Sequence, residues 1–149
     1  MAKAARLAYY FDANVLGLAK VVVALRPDCT YPGDPGGTVF GQERPACDVA
    51  PDTSDEVWLP TIAAQGLVIL TSDTNMGNRP SQFDLIQQHA ARVVFLQVSR
   101  GRPQGTWEVL ELLMRNWRRI AEVRETPGPW VYAAAYSGLA RFTPPKSWR

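Results

Sequence analysis

The chain reads as a three-layer α/β/α domain with a mainly parallel central sheet. Three observations carry this. Short, almost uninterrupted apolar runs recur along the sequence, as parallel strands do when both of their faces are covered. Segments with helical apolar spacing lie between those runs, the alternation that βαβ crossovers require. Glycine and proline fall at the changeovers, where an element must stop.

Residues 7–11 (LAYYF) are a compact apolar and aromatic run that suits a buried strand. Residues 14–25 have helical spacing, and Pro27 stops them. From about residue 27 to 53 the chain is rich in Pro, Gly and Asp, with one short strand candidate at 38–40 and Pro35-Gly36-Gly37 suited to a turn. A loop this long inside a compact domain is usually functional or mobile. A helix is expected over 55–65, ended by Gly66, then a second buried strand at 67–70 (LVIL). Pro80-Ser81 opens another helix, with Ser81 and Asp84 in capping-box spacing. Residues 92–98 (RVVFLQV) form the third strand.

The clearest helix spans 106–123. Leu110, Leu113, Met114, Trp117 and Ile120 or Ala121 fall on one stripe, while Arg115, Arg118 and Arg119 face away and Glu111 supports Arg115 at i,i+4. Residues 130–136 suit a last strand, and the tail from Thr143 is irregular.

A chain of 149 residues fits one domain, 1–149, long enough to bury about two-thirds of its unfolded surface. Its 46% apolar and 20% charged content are ordinary for a globular protein. Lys20 breaks the longest apolar run, so no membrane span is expected. No apolar stretch with a cleavage site opens the chain, and Cys29 and Cys47 show neither CxxC spacing nor a His/Cys cluster. A cytoplasmic setting is therefore expected. Charge is uneven: residues 1–99 hold 7 Lys/Arg against 10 Asp/Glu, and residues 100–149 hold 9 against 4. The acidic part suits cations and the basic part a polyanion, although a solvated surface would look the same.

Open α/β sheets bind ligands beyond the carboxyl ends of their strands. Asp12 follows LAYYF directly, and Asp73 follows LVIL after Thr71-Ser72. One aspartate after a strand often only caps a turn; two on one edge suggest a shared ion. Acids with no partner His or Cys suit Mg²⁺ or Mn²⁺ better than zinc. Asp55 and Glu56 open the helix before the second strand. Thr53 and Glu56 have capping-box spacing, but Pro60 suggests a helix starting nearer Trp58, with Asp55 in the loop above the sheet edge.

Two segments, YYFDANVLG and SDEVWLPTIAAQGLVILTSD, resemble the PIN (PilT N-terminus) domain family, and within it the VapC-type toxin ribonucleases of toxin–antitoxin pairs. Asp12-Ala13-Asn14 matches the family's first motif. Asp55 or Glu56 with Ala63-Ala64 and Gly66 matches the second, and Thr71-Ser72-Asp73 the third. The likeness covers about residues 7–17 and 54–98. Two departures stand out. The helix that often carries a further Glu is replaced by the Pro/Gly-rich loop, with Glu43, Asp48 and Asp52 nearby, and Asn75 stands where another acid often follows.

The resemblance implies a metal-dependent ribonuclease in which Asp12, Asp55 and Asp73, helped by Glu56, hold Mg²⁺ or Mn²⁺. Asn14, Thr71, Ser72 and Asn75 are accessory. It also implies an RNA substrate, a cognate antitoxin and a homodimer. Arg115, Arg118 and Arg119 are the first choice for an RNA-backbone contact, and Trp107, Trp117, Trp130 and Trp148 lie among the basic residues. Trp107 and Trp117 also suit a core or a dimer interface.

Other chemistries fit less well. His89 has no second histidine to pair with, and no GxGxxG or Walker sequence follows a strand. A haloacid-dehalogenase-type phosphatase needs an acid at position 14, where Asn14 stands. The rival of a different class is a non-catalytic PIN-like module that binds RNA or protein with a degenerate metal site.

Overall fold

The computed structural model describes residues 2–73, 79–97 and 105–148. The strands are β1 (Lys3–Ala4), β2 (Tyr9–Phe11), β3 (Cys29–Thr30), β4 (Gly37–Val39), β5 (Gln42–Arg44), β6 (Val68–Thr71), β7 (Arg92–Leu96), β8 (Trp130–Ala135) and β9 (Gly138–Arg141). The α-helices are α1 (Leu16–Val23), α2 (Asp55–Ala64), α3 (Pro80–Gln88) and α4 (Thr106–Val123). Short 3₁₀ turns span Ala13–Val15 and Lys146–Trp148.

The main sheet has the order β3-β2-β6-β7-β8-β9. All of its pairings are parallel except the β8–β9 hairpin. Side chains alternate across the sheet, as the strand period of two requires. Tyr9, Phe11, Val68 and Leu70 join one buried cluster with residues of α1 and α4. Tyr10, Ile69 and Val93 join the other with residues of α2 and α3. Helices thus cover both faces, and the expected three-layer class holds.

Arg92, the first residue of β7, donates from its guanidinium to the carbonyls of Gly66 and Arg124. One side chain thereby meets carbonyls just beyond the C-terminal ends of α2 and α4, where helices leave such groups unmatched. This junction lies at the edge of the sheet opposite the strand ends that carry Asp12 and Asp73.

Several elements differ from the sequence reading. The segment 27–53 is not a plain loop: β4 and β5 form a hairpin that pairs with β1 in a second sheet of order β1-β5-β4. Beneath it lies a buried ion pair, with Arg44 donating to both carboxylate oxygens of Asp34 and to the carbonyl of Cys29. Asp34 and Arg44, ten residues apart in an irregular stretch, leave no periodic signal, so the pair was not foreseen; of the second sheet only β4 answers to an expected strand, the candidate at 38–40. The α2 helix starts at Asp55 despite Pro60, with Ser54 at its N-cap and no side-chain cap bond, so the Thr53–Glu56 box does not form. The cap of α3 is Arg79, followed by Pro80, which leaves Ser81 inside the helix and no Ser81–Asp84 box. In α4 the buried face is Val109, Leu112, Leu113, Asn116 and Ile120. The expected stripe is therefore turned. Met114 is 69% exposed and Trp107 is 76% exposed. Asn116 is accepted into the core because its amide donates to the carbonyls of Leu112 and Ala135, at 2.9 and 3.0 Å.

Candidate active site

The sheet order decides where the acids meet. After β2 the chain crosses through α1 to β3 on one side, and β6 later pairs with β2 on the other. The β2–β6 boundary is therefore a topological switch point, where an open sheet leaves a crevice at its carboxyl edge. Asp12 leaves β2 at this crevice, and its N–H donates to Leu70 O at 2.9 Å. It then turns extended, with φ −64 and ψ 159, to begin the 3₁₀ turn.

Both oxygens of the Asp12 carboxylate are held. Oδ1 accepts from Ala13 N at 2.6 Å, and Oδ2 accepts from Thr71 Oγ1 at 2.9 Å. Thr71, the last residue of β6, is fully buried; its hydroxyl also lies 3.3 Å from Asn14 Oδ1 and accepts from Asp73 N at 3.1 Å. Ser72 N reaches Asn14 Oδ1 at 3.5 Å. Asp12, Asn14, Thr71, Ser72 and Asp73 thus form one hydrogen-bonded group across β2 and β6.

Asp55 enters from the first turn of α2. Its Oδ1 accepts from Trp58 Nε1 at 2.8 Å, and Trp58 is buried with its ring 5.2 Å from that of Tyr10. Trp58 is absent from the site residues expected from the sequence; its i,i+3 spacing from Asp55 is the signal that points to it. Glu56 is exposed on the same turn. Asn75 lies outside the described residues.

Burial is the main force raising the Asp12 carboxyl above its usual range, opposed by the Thr71 and Ala13 hydrogen bonds and reinforced by the charges of Asp55 and Asp73. Asp55 is also raised, first by burial and then by Asp73 and Glu56, against the Trp58 bond. Three carboxylates that repel one another in a partly desolvated crevice form a site that a cation would relieve.

The chemistry of the donors fits a hard divalent ion, because every candidate ligand is an oxygen. The spacing is open: among the described residues, no group of three or more His, Cys, Asp or Glu converges closely enough to enclose a metal. Such an edge suits an ion that keeps several waters and takes one or two carboxylates, as Mg²⁺ usually does.

Residues 8–98 match the family described as PIN like domain. The chain belongs to this PIN-like family. The matched stretch contains Asp12, Asp55 and Asp73, so it spans all three acids at the switch point. No curated protein and no solved structure matches the chain.

In this PIN-like chain the basic candidates stand apart from the acids. Arg115, Arg118 and Arg119 are exposed on the outer side of α4, roughly 14–20 Å along the axis from Thr106. Arg115 lies near Glu111 at 3.8 Å, and Arg119 near Glu122 at 3.5 Å. Thr106 itself adjoins the start of α1: a Cβ on Gly17 would come within 2.8 Å of its hydroxyl oxygen. Of the tryptophans, Trp130 is buried with its Nε1 donating to Thr126 O. Trp148 packs with Phe83 and Phe142 at 6.0 and 6.2 Å. His89 is the C-cap residue of α3, half-buried.

Proposed function

We propose that the chain is a Mg²⁺- or Mn²⁺-dependent endoribonuclease, acting as the toxin of a toxin–antitoxin pair in the cytoplasm. The observation that carries this reading is the gathering of Asp12, Asp73 and Asp55 at the β2–β6 switch point. PIN-like domains are commonly nucleases, which agrees with it. When bound, the ion would supply a water acidic enough to attack at neutral pH and a counter-charge for the phosphate.

The chain's own groups do the positioning. Thr71 and Ala13 fix both oxygens of Asp12, so that its remaining lone pairs keep one direction. Trp58 occupies one oxygen of Asp55 and leaves the other for a ligand. Glu56 stands exposed beside it, where it can bind a water of the ion's shell. Asn14 and Ser72 add polar atoms at the same edge, where they could meet a phosphate of the substrate. A fixed set of acceptors costs no rearrangement when charge develops.

The test is Mn²⁺-dependent cleavage of structured RNA by the wild type against Asp12→Asn and Asp73→Asn. Metal-dependent cleavage lost in both variants supports the reading. Equal cleavage by the variants, or none with any metal, refutes it. For the toxin role, expression should arrest growth, and co-expression of a small protein encoded beside the gene should relieve it.

One observation favours a second reading, a PIN-like module that binds RNA or protein without cutting. The described acids do not close around an ion, and an open site of few carboxylates holds a second metal weakly. RNA binding that persists without cleavage would select this alternative.

A further inference from the structure

The first turn of α4 lies at the edge of the sheet that carries the acids. The helix follows β7 and runs back to the Arg92 junction, so Thr106 stands at its carboxyl-edge end. There it presses against α1: a Cβ on Gly17 would come within 2.8 Å of Thr106 Oγ1. Glycine weakens a helix relative to alanine, and here it lets the two helices approach. Gly17 is three residues after Asn14 and five after Asp12. The residue after Thr106 is Trp107, which is 76% exposed. Helical side chains lean toward the N-terminus of their own helix, which turns this indole toward the acids. Chain geometry puts it roughly 10–15 Å from Asp12.

The surroundings of Trp107 decide what it can recognise. Elsewhere the chain packs its indoles: Trp58 and Trp130 are buried and donate hydrogen bonds, and Trp117 and Trp148 lie against other rings. A helix N-terminus ordinarily attracts a phosphate, but Glu108 already covers this one. A Cβ on Gly105, the N-cap of α4, would come within 2.8 Å of Glu108 Oε2. That carboxylate favours the helix end and repels a second anion. The turn therefore suits a neutral, flat group. A nucleobase is such a group, because every base has a π-face that stacks on an indole whatever its edges present. A strand crossing the crevice would turn a phosphate to the acids and their ion, and a base to Trp107.

We propose that Trp107 is a substrate-binding residue, the platform on which one base stacks while the phosphodiester of the same strand lies at Asp12, Asp55 and Asp73. This rests on the reading of the chain as a metal-dependent ribonuclease and adds a contact that the acids do not supply. Because the indole accepts any base, it fixes the register of the strand on the ion more than the sequence that is cut. Gly17 serves the same end, since its missing side chain is what brings the platform close to the crevice.

The test is the affinity of the full chain for a labelled stem–loop RNA, read by fluorescence anisotropy in the Asp12→Asn background to suppress cutting. Trp107→Ala should weaken binding about tenfold, which is 1.4 kcal/mol and within the range for one stacked base. Trp107→Phe should keep most of the affinity. Thermal unfolding of both should match that of Asp12→Asn itself, since Trp107 is exposed. A scan with one abasic nucleotide at each loop position should find a position where the lost base and Trp107→Ala cost no more together than either alone. With Asp12 restored and Mn²⁺ present, Trp107→Ala should lower kcat/KM by the same factor, mainly through KM. Additive losses at every position, or binding indifferent to Trp107→Ala, overturn the proposal, and the indole then belongs to a protein contact. Absence of RNA binding overturns it as well. Binding through Trp107 without cleavage by any form would refute the ribonuclease reading and leave the platform standing. Cleavage unchanged in Trp107→Ala would do the reverse.

Discussion

The indole Nε1 of Trp58 donates to Oδ1 of Asp55 at 2.8 Å, across one turn of α2. The ring is itself held by burial and by its contact with Tyr10. A core residue therefore sets the direction of an acid at the site. Trp58→Phe keeps the ring packing and removes the donor. Mn²⁺ affinity, read by titration, should fall about tenfold, the usual cost of losing a ligand's supporting partner. Unchanged affinity would show that Asp55 needs no such support.

Asp12→Asn should raise stability while sharply lowering cleavage. Burial and the neighbouring acids raise the Asp12 carboxyl. Between the ordinary value of 3.8 and that raised value, the folded chain binds more protons than the unfolded one. Stability from this group is thus complete below the ordinary value and is lost as pH rises through the raised one. Asp55 acts in the same direction. The melting temperature without metal should decline over that window and decline less in Asp12→Asn. Added Mg²⁺ should restore it for the wild type alone. Cleavage should drop by about a hundredfold or more.

The Asp34–Arg44 pair offers a test of the second sheet. Arg44 is 6% exposed and Asp34 1% exposed, so removing either partner strands a buried charge. Asp34→Ala should cost about 3–5 kcal/mol in chemical denaturation. A double replacement, Asp34→Leu with Arg44→Met, should cost clearly less than the single one. Equal losses would show that packing, not the charge, matters there.

Ala90 ends α3 in the left-handed conformation at φ 52, and Ala91 N donates to Ile86 O at 3.0 Å, the long bond of a Schellman motif. Glycine adopts this backbone without the Cβ clash. Ala90→Gly should stabilise the chain by about 0.5–1 kcal/mol. Gly128→Ala should do the reverse, because its Cβ would come within 2.2 Å of Ala90 O. Thermal melts of both variants decide this.

The apolar periodicities were legible, whereas the capping boxes at Thr53–Glu56 and Ser81–Asp84 do not form and the Asp55–Trp58 bond was missed. The extent of α4 came from its periodicity, and the strands around Tyr10, Ile69 and Val93 from their apolar runs. Asp12 and Asp73 stood out because each follows such a run. Where two distant segments had to meet, the outcome was not legible. The stripe on α4 reads as one broad apolar arc, and only the docking of α4 on the sheet shows which part is core and which part remains exposed.

The same division separates the two aspartates from their site. The amino-acid order alone places Asp12 and Asp73 at strand ends, because hydrophobic runs define the strands without reference to anything else. That β2 and β6 are neighbours was decided by tertiary pairing, since strand order depends on which surfaces bury best together. From that pairing come the switch point, the bond from Thr71 to Asp12 across 59 residues and the shared field of three carboxylates.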